Sequence, residues 1–238
     1  MGVKSVLLAG GLLALALDSP AGAVVIDSIS PTWLNMVGGS GQVLNQANGA
    51  FTDARWGAPA SGNQKSGLGF DPANPPSQTI PVNTNFLLGT LQHYNNPVST
   101  GTAASSVDLN LLTTVAGATP ASQTFSFRFL IDETPNVRPC AYPSGNTPCA
   151  DKITFQNLDT SSSFQIGAVN YTLALSGFSN DGGVTISNSF ISQESSSNKI
   201  GLFATLTAAT PVPEPVSLAI LGAGLIGMGM ARRSRTSA

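Results

Sequence analysis

The sequence predicts an all-β protein, two antiparallel sheets packed as a sandwich or jelly roll. Three observations lead there. Apolar residues recur every second position in segment after segment, as in Val107, Leu109, Leu111 and in Phe125, Phe127, Phe129, Ile131, which is the period of a half-buried strand. Gly, Pro, Asn or Ser separate these segments, and the body has no stretch with a 3.6-residue period. Charged residues make up only 9% of the chain, whereas long exposed helices usually carry Glu and Lys.

Taken in order, Val24–Ile26 with Ser28–Ser30 predicts a first strand that closes at Pro31. Trp33 to Gly49 is rich in Gly, Asn and Gln and has weak periodicity; Phe51 to Arg55 predicts a short strand. Trp56 to Ser77 carries Pro59, Pro72, Pro75 and Pro76 and predicts a long irregular loop. Asn85 to Leu91 predicts a strand, and His93-Tyr94-Asn95-Asn96-Pro97 a turn. Strands follow around Val107–Leu111, Phe125–Ile131, Ile153–Phe155, Val169–Leu175 and Ile200–Leu206, with the phenylalanine face as one inner wall.

The two ends read as addresses. Met1 to Ala23 has Lys4, an apolar run from Val6 to Leu17, and Ala21-Gly22-Ala23, the three parts of a cleaved signal peptide. At the other end stand Pro213-Glu214-Pro215, sixteen uncharged residues from Val216 to Ala231, and then Arg232, Arg233 and Arg235. Sixteen helical residues span roughly 24 Å, a short membrane crossing that arginines reaching the headgroups extend. The positive-inside rule puts that basic cluster in the cytoplasm and the body outside. Gly222, Gly224 and Gly227 match G-x-G-x-x-G, but only eleven residues follow and none is acidic, so a dinucleotide site is excluded. The expected organisation is signal peptide 1–23, β-sandwich body 24–207, linker 208–212 and sorting segment 213–238, with a helix at 216–231 and a basic tail at 232–238.

The tripeptide, short apolar helix, arginine cluster and terminal placement together strongly resemble the PEP-CTERM sorting signal. That resemblance implies recognition by an exosortase near Pro213, Glu214 and Pro215, and release to the surface of a biofilm-forming Gram-negative bacterium. The implied partners are the Sec translocon, signal peptidase and exosortase, with an intermediate anchored in the inner membrane.

Inside the body, Val24 to Thr210 carries six basic and ten acidic residues. No basic patch exists, so nucleic acid is not an expected partner. Cys140 and Cys149 flank turn residues, and an exported chain with two cysteines predicts a local disulfide. Zinc would need further soft ligands, and His93 is the single histidine.

Several segments resemble the THxN family of PEP-CTERM proteins, which overlaps the choice-of-anchor K domain. They are Arg55-Trp56-Gly57 with Pro59, Ser66-Gly67-Leu68, Leu88 to Pro97, Glu133 to Asn136, Pro148 to Asp151 and Tyr171 to Phe178. His93 and Asn95 match the family's Thr-His-x-Asn, while Gln92 stands at the threonine position. The resemblance implies an exported β-domain and adds no chemistry.

No catalytic constellation is expected. His93 has the right pKa range for a general base, but no Gly-x-Ser-x-Gly accompanies it; the alternative is a strand-end histidine bonded to a loop. Asp132 and Glu133 are adjacent and so point to opposite faces of a strand, which makes them poor partners for glycoside hydrolysis; a role in the Thr134-Pro135-Asn136 turn fits better. Neither a metal site nor a cofactor is expected, although Asp151, Asp159 and Asp181 beside Gly182-Gly183 offer oxygens suited to calcium. Trp33, Trp56, Tyr94 and Tyr142 are placed in loops, where they either stack on sugar rings or plug the ends of the sandwich. The expected function is a structural or adhesive surface protein of the extracellular matrix, associated with exopolysaccharide. The alternative is a secreted polysaccharide hydrolase using His93 or the body's carboxylates.

Overall fold

The computed structural model describes residues 23–73, 78–142, 148–157 and 163–209. These form two antiparallel sheets packed face to face, and no helix occurs among them. The first sheet runs β13 (Ser189–Ser192), β10 (Asp151–Asn157), β9 (Ser122–Asp132), β7 (Ala104–Val115), β1 (Val24–Gly38) and β5 (Gln78–Ile80). The second runs β2 (Val43–Asn48), β3 (Phe51–Trp56), β4 (Ser66–Pro72), β6 (Asn85–Asn95), β14 (Ser196–Ala209), β12 (Val169–Ser179), β11 (Ser163–Ile166) and β8 (Ala118–Thr119).

The predicted alternation builds the core. Val107, Leu109 and Leu111 of β7 and Phe125, Phe127, Phe129 and Ile131 of β9 are all buried. Leu173 and Leu175 of β12 and Ile200, Leu202, Ala204 and Leu206 of β14 face them from the other sheet. Phe178 ties the layers together, with ring contacts to Phe129, Phe155 and Phe190.

Four expectations need correction. The first strand does not stop at Pro31, which pairs with Leu111 within β1. Beyond Ile26 that strand has a hydrogen-bonded neighbour on one side only, so a residue lacking an N–H is tolerated there. Two residues on, Asn45 satisfies the same edge. Its Oδ1 accepts from the Trp33 N–H at 2.6 Å, and its Nδ2 donates to the Trp33 carbonyl at 3.0 Å. The supposed loop from Trp56 to Ser77 contains β4, a strand inside the second sheet between β3 and β6. His93, Tyr94 and Asn95 are not a turn, because β6 continues through them and pairs with both β4 and β14. Trp33, Trp56 and Tyr94 lie on strands and are buried, so they are not exposed stacking platforms.

Cys140 and Cys149 are joined, as expected. The expected signal peptide, Pro213-Glu214-Pro215, the 216–231 helix, Arg232, Arg233, Arg235 and Asp159 lie outside the described residues, Ala23 excepted.

Candidate functional site

At one end of the sandwich a polar cluster spans the two layers. Residues i and i+2 of a strand share a face, so His93 and Asn95 of β6 both turn inward below Leu91. Both are fully buried. From the other sheet, Glu133 continues the inward parity of Phe125 to Ile131 one step beyond the end of β9. Asp151 opens β10, pairs with Ser192 of β13, and is also fully buried. One donor atom each from His93, Glu133 and Asp151 lie within 4.8 Å of one another. Glu194, also buried, follows β13.

The surroundings fix these groups. His93 Nδ1 lies 2.8 Å from Ser192 Oγ, while Nε2 has a long 3.5 Å contact to Ser66 Oγ. The imidazole stacks on Trp56, with ring centroids 6.2 Å apart. Asn95 Nδ2 donates to the Ser192 carbonyl at 2.9 Å. The backbone N–H of Thr134 donates to Asp151 Oδ1 at 2.7 Å, and its hydroxyl lies 3.1 Å from the same oxygen. Asn136 Oδ1 accepts from the Cys149 N–H at 2.8 Å, so the disulfide-closed segment is tied to the turn that follows Glu133.

Burial dominates the electrostatics. It lowers the His93 pKa to about 3, with Arg55 adding to the effect, so the ring is neutral. Burial, then Asp151, then Glu194 push Glu133 up to about 8; the Trp56 indole N–H works against that rise, although it falls short of hydrogen-bond geometry. Burial pushes Asp151 up to about 7 against the bonds from Thr134. Burial also raises Glu194. Glu133 Oε2, Asp151 Oδ2, Asn95 Oδ1 and both carboxylate oxygens of Glu194 have no hydrogen-bond partner. Buried acceptors in that state are costly. His93, Glu133 and Asp151 are the described residues placed to hold a metal ion.

A second feature lies on the outer face of the second sheet. Gln46, Asn48, Asp53, Arg55, Asn63, Gln64 and Lys65 line a groove of about 380 Å³. Its floor is a fixed network. Arg55 Nη2 donates to Asp53 Oδ2 at 2.8 Å, and its guanidinium lies 3.4 Å above the Tyr94 ring. Asn48 Nδ2 donates to both Asp53 Oδ2 and the Tyr94 oxygen, at 3.0 and 2.9 Å. Gly69 leaves the space for this network, since a Cβ there would stand 2.5 Å from Asp53 Oδ1.

Several expectations resolve at these two places. Asp132 and Glu133 do face opposite ways: Asp132 is exposed and accepts a bond from Tyr142 Oη, while Glu133 turns inward. The turn after Glu133 is instead held by Thr134 and Asn136. Asp181 does not join Asp151 in the cluster. Its carboxylate accepts from Ser179 Oγ at 2.6 Å and from the Thr185 N–H at 2.9 Å, and these bonds lower its pKa to about 2. The pairing of Glu133 with Asp151 and the approach of Glu194 were missed. A signal existed for Glu133, a carboxylate that extends an apolar alternation. Four segments that carried the family resemblance, 55–59, 66–68, 88–97 and 133–136, meet around His93 together with Asp151. No family model matches the chain, and no curated protein matches it.

Proposed function

We propose that the chain is an exported, non-enzymatic protein of the cell surface or extracellular matrix that binds exopolysaccharide in the outer groove beside Tyr94. The observation that carries this is the lining of the groove, in which four amide side chains stand beside a fixed Asp53–Arg55 pair. Sugar hydroxyls donate and accept, and amides do both. A network already fixed before binding keeps the ordering cost low. Export is supported by the terminal signals and by the Cys140–Cys149 bond, since disulfides persist in oxidising compartments. On this proposal the Sec translocon and signal peptidase handle the first 23 residues. An exosortase acts near Pro213-Glu214-Pro215, and the inner membrane holds the intermediate. His93 is sealed beneath Trp56, which argues against a general base that meets substrate.

Retention of the purified protein on immobilised host exopolysaccharide tests the proposal. Wild type should be retained, and Asn48→Ala combined with Gln64→Ala should weaken retention about tenfold or more, on the scale of one or two lost hydrogen bonds. No retention of wild type on any host polysaccharide overturns it. The raised carboxyls of Glu133 and Asp151 favour a polysaccharide hydrolase as the second reading. Release of reducing ends by wild type, lost in Glu133→Gln, would decide for it.

A further inference from the structure

We propose that His93, Glu133 and Asp151 bind one divalent cation of the zinc or manganese class, with Asn95 and Glu194 completing its surroundings. Geometry comes first. The three donor atoms lie within 4.8 Å of one another. Donors held about 2.0–2.2 Å from one tetrahedral ion stand about 3.3–3.6 Å apart, so movements of less than about 1 Å by each donor close the cluster around it.

The second observation is a set of buried acceptors with no donor in hydrogen-bond geometry. Asn95 is fully buried, its amide acts on Asp151, and its Oδ1 has no partner. Asp151 Oδ2 and Glu133 Oε2 are equally unpartnered, and both oxygens of Glu194 fall short of hydrogen-bond geometry, although the Asn136 amide and the Ser195 N–H act on that carboxylate. Among the described residues no basic side chain hydrogen-bonds to any of these oxygens. Arg55 is engaged on the outer face with Asp53 and Tyr94, and Lys152 lies over Tyr142. A single proton bridges two oxygens, whereas a cation draws in several at once.

The donor set selects the ion. Calcium and magnesium take oxygen ligands. A neutral imidazole beside carboxylates suits zinc or manganese, and both cysteines are committed to the disulfide. The supporting bonds are those that orient metal ligands elsewhere: Ser192 on the imidazole and Thr134 on the Asp151 carboxylate. Glu133 remains partly exposed and gives the ion a way in. Because His93 and Asn95 come from one sheet and the carboxylates from strands or turns of the other, the ion would pin the two layers at this end.

The test uses the purified full-length chain. Wild type should carry close to one equivalent of zinc or manganese by elemental mass spectrometry. Chelation should lower its melting temperature, and Zn²⁺ or Mn²⁺ alone should restore it. At a hundredfold excess over Kd the restoration should be about 5–10 °C for a body of this size. Glu133→Gln and Asp151→Asn should abolish the response; both keep the side-chain shape and leave no buried carboxyl to ionise, so the fold should persist. A wild-type melting temperature indifferent to chelator and to all added cations overturns the proposal. So does a response to Ca²⁺ alone, which would leave the imidazole outside the ligand set, and so does a Glu133→Gln variant that still binds.

Discussion

The chemistry of the buried end turns on where single side chains point. Glu133 sits on the apolar face because strand parity puts it there, and the sequence displays that parity from Phe125 onward. Its partner was not legible. Asp151 reaches Glu133 only through the register of β10 on β9, set by pairs such as Phe155 with Phe129, and no local pattern encodes such a register. With the cation removed, these acids should give a characteristic pH response. Unfolded carboxyls ionise near pH 4, but Glu133 and Asp151 hold their protons to about 8 and about 7. Their contribution is therefore fully present below about pH 4 and is lost as pH rises toward 8. Melting curves of the chelated protein should fall over that window, and Glu133→Gln should flatten the fall. Identical slopes for the two proteins would refute the assignment of Glu133.

Among the elements, β4 shows how a strand hides. Ser66, Leu68 and Phe70 face the core, and the outward positions are Gly67 and Gly69. Glycine has poor strand propensity, and the prolines nearby point the same way, so composition alone suggests a loop. The glycines are there for the neighbouring strands. At Gly67 a Cβ would stand 2.5 Å from the Ala54 carbonyl, and at Gly69 the same distance from Asp53 Oδ1 and 3.0 Å from Tyr94. Gly69→Ala should therefore cost about 1–3 kcal/mol by chemical denaturation, as overpacking usually does, and should weaken polysaccharide retention by displacing Asp53. An unchanged midpoint would show that Asp53 yields freely. By contrast, β7, β9, β12 and β14 were legible because each packs one apolar face on the core and alternates cleanly.

At the scale of the molecule, the two-sheet class followed from alternation alone, while the order of strands did not, because β6 lies between β4 (Ser66–Pro72) and β14 (Ser196–Ala209), which are far apart in the sequence. The proposed delivery makes its own prediction. Glu214→Ala, or alanine at Arg232, Arg233 and Arg235 together, should leave the protein in the inner-membrane fraction at its uncut size. Normal release of either variant, followed by fractionation and immunoblotting, would sink that part of the proposal. On the proposed function the protein works at high local concentration, where an open sheet edge recruits strands from neighbouring copies. The edge of β1 is closed to this. Pro31 has no N–H to give, and Asn45 already occupies the N–H and the carbonyl of Trp33. Two successive outward positions thus offer an incoming strand no template, so crowding should not turn this edge into a seed for fibres.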